Sequence, residues 1–174
     1  EKDPFIFIDS AKKKGYEPKL ALHARAVSDL MVDSVAERID AFLKGEKTHN
    51  SDAKILVMGF AFKGRPVTSD MRGSTTIALI KKLQQSGWHN IHGFDPAVAK
   101  KEILAYKVKH AVTVRKGFVD AAAVVVMNNH PDFEALDMRD LLAETNKPAL
   151  LFDTWSLYDP DEVGKVKGVK HVRL

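Results

Sequence analysis

The run Ala122–Met127, Ala-Ala-Val-Val-Val-Met, leaves this chain few folds to choose from. Every side chain in it is apolar, so neither face of a strand formed there can meet water. A strand buried on both faces belongs in a parallel sheet with helices on each side. Lys54–Phe60 reads the same way, and Ala149–Phe152 is a third such run. Asn90–Phe94 and His171–Leu174 are further strand candidates. Between the first two strands, a helix is expected from Gly73 to Ser86. It would turn Ile77, Ile80 and Leu83 inward and stop at Gly87. Leu141 lies in a short helix. Apolar strands alternating with helices predict an α/β domain over residues 54–174.

The first 48 residues follow a different rhythm. Pro4 suits a first helical turn, and that helix runs through Lys14 to Gly15, a good C-cap residue. Pro18 opens a longer pattern in which Leu20, Ala24, Val27, Met31, Val35, Ile39 and Phe42 recur every three or four residues. It ends at Gly45, and at 1.5 Å per residue it reaches about 40 Å. That exceeds what a small domain needs. Its apolar face is therefore expected to meet either the rest of this chain or a twin helix in a two-fold dimer. Residues 46–53 have no apolar period and read as a linker.

Composition removes several classes of function. At 174 residues and 45% apolar, the chain can bury one core plus an appendage, and disorder is excluded. No apolar run reaches membrane-spanning length. The absence of cysteine removes disulfides, thiolate metal sites and thiol nucleophiles from these residues and fits a cytoplasmic protein. A net charge of +4 is a solvated surface with, at most, room for an anionic ligand; no nucleic-acid partner is expected.

In a parallel sheet the ligand lies beyond the C-terminal ends of the strands, where the strand order reverses. Four segments leave those ends: Gly59–Ser74, Asp95-Pro96, Asn128–Pro131 and Asp153–Trp155. A dinucleotide turn in the first would read G-x-G-x-x-G, bare enough for backbone to touch pyrophosphate. Here it carries Phe60, Phe62, Lys63 and Arg65. An ammonium and an aromatic wall suit one nucleotide better than two. Ser69 or Asp70 is expected to cap the following helix. Arg72 at that same end is a cation out of place, which points to a negative partner.

Gly-Phe-Ala-Phe-Lys followed by Ser-Asp-Met-Arg-Gly-Ser resembles the opening of the C-terminal domain in UDP-glucose/GDP-mannose dehydrogenases, where G-x-A-[FY]-K precedes D-x-R-x-[ST]. Lys2-Asp3-Pro4 is similar to the segment after that family's catalytic cysteine. Ala24-Arg25, Ser28-Asp29 and Met31 resemble the start of its central helix, and Asp95-Pro96 and Phe152-Asp153 also fit. The resemblance implies a Rossmann-like parallel sheet, preceded by a long helix from an all-α central dimerisation region over residues 1–48. It implies oxidation of C6 of a nucleotide-linked hexose to a carboxylate with two NAD. An aldehyde is trapped by the cysteine as a thiohemiacetal, then passes through a thioester that water hydrolyses. NAD would be bound mainly by an N-terminal domain, and the UDP-sugar by residues 54–174. The cysteine would lie two residues before Glu1, so these residues alone are expected to be inactive. By the same resemblance Asp3 assists proton movement, Phe62 and Lys63 bind substrate, and Arg72 reaches the NAD side of the cleft. The implied assembly is a homodimer through the 18–45 helix.

The chain departs from the family in places. Asp153-Thr154-Trp155 stands where an arginine usually contacts substrate; Trp155 can instead stack on a base or sugar. Asn128-Asn129-His130 replaces Thr-[Glu/Asp]-[His/Trp], and Ser28 replaces an asparagine. The seven histidines (His23, His49, His89, His92, His110, His130, His171) are scattered, and no metal site is expected. His130 is the one histidine placed near the ligand loops, where it is expected to satisfy loop backbone. Two other readings stand beside the dehydrogenase: a stand-alone nucleotide-binding or regulatory module, and an ordinary NAD(P) domain with Asp95 on a ribose.

Overall fold

A computed structural model describes residues 2–46 and 50–174. His49 and part of the 46–53 linker lie outside the described residues. Six parallel strands form one sheet in the order β3-β2-β1-β4-β5-β6. They are β1 (Lys54–Met58), β2 (Ile91–Phe94), β3 (Lys109–His110), β4 (Ala121–Val126), β5 (Ala149–Asp153) and β6 (Val169–Arg173). The order reverses between β1 and β4, which pair in parallel from Ile55↔Ala123 to Met58↔Val126. This is the parallel α/β sheet expected from the apolar runs, and it is Rossmann-like, as the family resemblance implied. All six residues of β4 are buried, as its composition required.

Side chains alternate between the two faces. Ile55 and Val57, Ala123 and Val125, and Leu150 and Phe152 face one core. Leu56 and Met58, Val124 and Val126, and Leu151 face the other. The second core is covered by α5 (Val114–Phe118), α6 (Pro131–Glu134), α7 (Met138–Ala143) and α8 (Pro160–Gly164), through Phe118, Phe133, Leu142 and Val163. The first is covered by α3 (Thr75–Gln85), α4 (Lys100–Leu104) and the long helix α2 (Lys19–Gly45). Helix α1 (Lys2–Lys13) contacts α2.

The structure divides the apolar face of α2. Val32, Val35, Ala36, Ile39 and Leu43 are buried, closing the sheet face over β4 and β5. Val35 and Ile39, expected to face a partner, therefore belong to this chain's own core. Leu20 and Val27 stay 85% and 67% exposed. The alignment of α2 with α3 explains the split. Lys82 of α3 pairs with Asp33, and Trp88 Nε1 donates to Asp40 at 2.9 Å, so the two helices run in the same direction. Stepping back seven residues from Lys82 reaches Thr75, where α3 starts; the same step from Asp33 reaches Ala26. Residues 19–25 of α2 therefore extend up to about 10 Å beyond the start of α3, on the side of the sheet's C-terminal edge.

Candidate functional site

The β1 exit loop is held along its length. Asp95 leaves β2 and is buried. Its Oδ2 accepts from Phe60 N at 2.6 Å and Ala61 N at 3.0 Å, while Oδ1 accepts from Ala97 N at 2.8 Å and Val98 N at 3.1 Å. Four backbone donors saturate one carboxylate. Asp95 thus has no lone pair for a ribose, which removes the footing of the ordinary NAD(P) reading. Thr76 Oγ1 donates to Gly59 O at 2.6 Å, and Phe62 N donates to Asp70 O at 2.9 Å.

The β4 exit grips the same loop from the other side of the switch point. Asn128 is buried; its Nδ2 donates to Ala61 O at 3.2 Å. Asn129 Oδ1 accepts from Gly64 N at 3.1 Å. The contact is so close that a Cβ on Gly64 would overlap the backbone of Asn129 and His130. His130 caps α6, its Nδ1 accepting from Asp132 N at 3.1 Å, so it does satisfy loop backbone.

The β5 exit docks beside β4. Thr154 N and Oγ1 both donate to Val126 O, and Trp155 Nε1 donates to Met127 O at 3.1 Å. Buried Asp153 accepts from Trp155 N and Tyr158 N. Burial, with the Asp153 and Glu134 charges, raises the Tyr158 phenol, whose O–H donates to Phe133 O. The loops of β1, β4 and β5 thus form one continuous rim.

The sequence-predicted residues fall on this rim unevenly. Phe62 and Trp155 are 45% and 47% exposed, and Lys63 Nζ lies 5.0 Å over the Phe62 ring. Phe60, expected in the aromatic wall, is instead fully buried against Gly93, so Phe62 alone of the pair faces outward. Arg65 is held by Glu134 at 2.5 Å. Ser74, not Ser69 or Asp70, is the N-cap of α3. Asp70 folds back on Arg72: its Oδ1 accepts from Arg72 N at 2.9 Å and its Oδ2 from Arg72 Nη2 at 2.6 Å. Those bonds lower the Asp70 carboxyl to about 2. The negative partner inferred for Arg72 is therefore this aspartate, although the arginine side chain remains 92% exposed and free to meet a second anion. Asp3 lies exposed in the first turn of α1; among the described residues no hydrogen bond or ion pair joins it to the rim.

Sequence reasoning missed Asp95, Asn128 and Asn129 as the frame of the site. The Asp-Pro and Asn-Asn-His segments were visible at strand exits, but which backbone groups they hold depends on the strand order. A cavity of about 700 Å³ lies at the opposite edge of the sheet, lined by Asp52, Lys54, Asn90 and Asp120. Lys54 Nζ there donates to Lys116 O and Val119 O, and burial lowers its ammonium. That cavity shares no lining residue with the rim. Among the described residues no group of three His, Asp or Glu could hold a metal, and no helix is long and apolar enough to cross a membrane.

Residues 56–160 match the UDP-glucose/GDP-mannose dehydrogenase family, UDP binding domain. The UDP-glucose 6-dehydrogenase of Rhizobium meliloti is 30% identical over 165 residues, 94% of this chain and 36% of that protein. The UDP-glucose 6-dehydrogenase of Haloferax volcanii is 32% identical over 141 residues, 78% of this chain and 30% of that protein. The chain spans about a third of the length of these curated relatives. Among solved structures, a UDP-D-ManNAc dehydrogenase from Pyrococcus horikoshii superposes with a TM-score of 0.77 at 21% identity, covering 99% of this chain and 36% of that one; this bears on the fold alone. With the family match running from Leu56 in β1 through β5 to Pro160, and so covering the switch point and the three loops of the rim, the chain belongs to the UDP-glucose/GDP-mannose dehydrogenase family.

Proposed function

We propose that this chain is the nucleotide-sugar-binding part of an NAD-dependent UDP-sugar 6-dehydrogenase, which oxidises C6 of a UDP-hexose to a carboxylate. The observation that carries the reading is the rim itself. At the β1 exit, where a dinucleotide turn would be bare, it presents Lys63 and the half-exposed Phe62 ring on a braced backbone, and the β5 exit adds the half-exposed Trp155 ring to the same rim. The Lys63 ammonium offers a point charge to the diphosphate. Trp155, with Nε1 committed to Met127 O, offers its ring face to the base or sugar. Arg72, exposed at the end of the β1 loop, reaches toward an anionic cofactor held elsewhere. NAD supplies a hydride acceptor for C6. The bulk of the β1 loop does not fit a dinucleotide, so NAD is held mainly by a domain outside these residues. Asp3, exposed in the first turn of α1, serves as proton acceptor. Residues 1–48 form the end of a central helical region, and a homodimer forms through the exposed N-terminal half of α2. The protein is cytoplasmic.

Calorimetry with the chain tests this. UDP is expected to bind more tightly than NAD. Lys63→Ala should weaken UDP by about tenfold or more, the size of a lost charge-assisted bond. Trp155→Ala should weaken it by about fivefold or more through lost stacking. Both variants binding UDP normally, with NAD preferred over UDP, would overturn the assignment. No thiol is present among the 174 residues and, on this reading, NAD is held mainly by a domain outside them, so no NADH should form from UDP-glucose, UDP-N-acetylhexosamines or GDP-mannose. Turnover of about 1 per second would contradict the mechanism.

A further inference from the structure

Asn129 is half-buried at the exit of β4. The Gly64 N–H can only donate, so the Asn129 atom it meets at 3.1 Å is the carbonyl Oδ1. That bond fixes which way round the carboxamide lies and turns Nδ2 away from Gly64. Among the described residues nothing accepts from Nδ2. The neighbouring loop shows the same selectivity. The N–H groups of Phe60, Ala61, Phe62 and Gly64 all have acceptors, but the N–H of Lys63 has none among the described residues. Among the described residues Lys63 Nζ makes no ion pair, and it rests over the Phe62 ring. The nearby carboxylates are already engaged: Asp70 by Arg72, and Glu134 by Arg65. Gly64, the next residue along from Lys63, packs directly on the Asn129–His130 backbone. One place on the rim therefore gathers an amide NH₂, a backbone N–H and an ammonium, all donors. A ligand that meets such a set must present acceptors only, as phosphate oxygens do.

We propose that Asn129 is a specificity-determining residue that donates from Nδ2 to the diphosphate of the bound nucleotide, beside Lys63. The inference rests on the nucleotide-sugar reading and sharpens it: residue 129 would touch phosphate, not base or sugar. It also gives a chemical meaning to the departure at this position, since an acidic residue there would turn an acceptor toward the anion.

Asn129→Asp tests it because the variant keeps an oxygen for Gly64 and replaces only the outward donor. Wild type is titrated first with UDP and with uridine. In the variant, UDP affinity near neutral pH should fall about tenfold or more while uridine affinity holds. The affinity should recover, relative to wild type, as pH falls through about 4 and the carboxyl becomes a donor. Ser69→Asp, an exposed site on the β1 loop, controls for added charge and should cost less than about threefold. The Tm of Asn129→Asp should stay within about 2 °C of wild type, and Asn129→Ala should lower it. An unchanged UDP affinity, an equal loss for UDP and uridine, or a fall in Tm as large as that of Asn129→Ala would each overturn the proposal. Wild type that binds no UDP would instead overturn the nucleotide-sugar reading on which it rests.

Discussion

Replacing Asp95 by asparagine should unhinge the rim without altering its exposed residues. The carboxylate accepts four backbone N–H bonds between 2.6 and 3.1 Å, two on each oxygen. Asparagine keeps one oxygen, so two N–H groups lose their acceptor and face an NH₂ instead. An unmet buried donor costs about 1–3 kcal/mol, and more where the lost partner was charged. The sum is about 3–5 kcal/mol, a large share of the 5–15 kcal/mol typical of a domain. For a chain of this size that corresponds to a Tm lowered by about 6–20 °C. Urea denaturation gives the free energy and scanning calorimetry the midpoint. UDP affinity should fall as well, because Phe60 and Ala61 carry the segment leading to Phe62 and Lys63. A loss below about 1 kcal/mol would refute the reasoning. So would unchanged stability with a selective loss of dinucleotide binding, the pattern of an aspartate on a ribose.

Two further outcomes follow from the same structure. His92 is half-buried, and burial together with the Lys54 and Lys109 ammoniums lowers its imidazole to about 4 from 6.5. Between those values the unfolded chain binds more protons, so His92 contributes stability that is present above pH 6.5 and lost as pH falls toward 4. After discounting for its exposure the loss is about 1–2 kcal/mol, and urea midpoints for His92→Gln should fall less across that window than those of wild type. On α2, Val27→Glu should shift the mass seen by light scattering from two copies to one with little change in Tm; a wild type that is already a single copy at high micromolar concentration counts against the dimer.

The sheet was legible because burial on both faces leaves a strand no polar side chain: Ala121–Val126 and Ile55–Met58 announce themselves by composition. The short elements were not. β3 is two residues long, and α4, α5, α6 and α8 are four or five, too brief for a period to show. Some of their starts did carry signals. His130-Pro131-Asp132 and Asp159-Pro160-Asp161 each place a capping side chain, then proline, then acid, and both open helices. The even apolar stripe of α2 could not reveal that its two halves have different fates, since that depends on where α3 begins. Of the site, Phe62, Lys63 and Trp155 were readable as residues leaving strands. Their mutual bracing was not, because Asn128 and Asn129 lie over sixty residues from the loop they hold.

That bracing separates two kinds of residue on the rim. Asp95 and Asn128 spend their polar atoms inside the protein and are buried, so changing them must disturb stability and binding together. Lys63 and Trp155 point their free surface outward and can be altered with little cost to the fold. Asn129 is the joint between the two groups, one end of its carboxamide fixing Gly64 and the other without an acceptor among the described residues. A Rossmann-like sheet that binds a dinucleotide keeps its first turn bare so that backbone can approach pyrophosphate. Here the same turn is filled by Phe60 and tied down from β2 and β4, which closes off that approach. On the function proposed above, specificity is set by a few outward atoms on a rigid base. Substitutions at positions 63, 129 and 155 should therefore change which nucleotide sugar is held more readily than they change whether the domain folds.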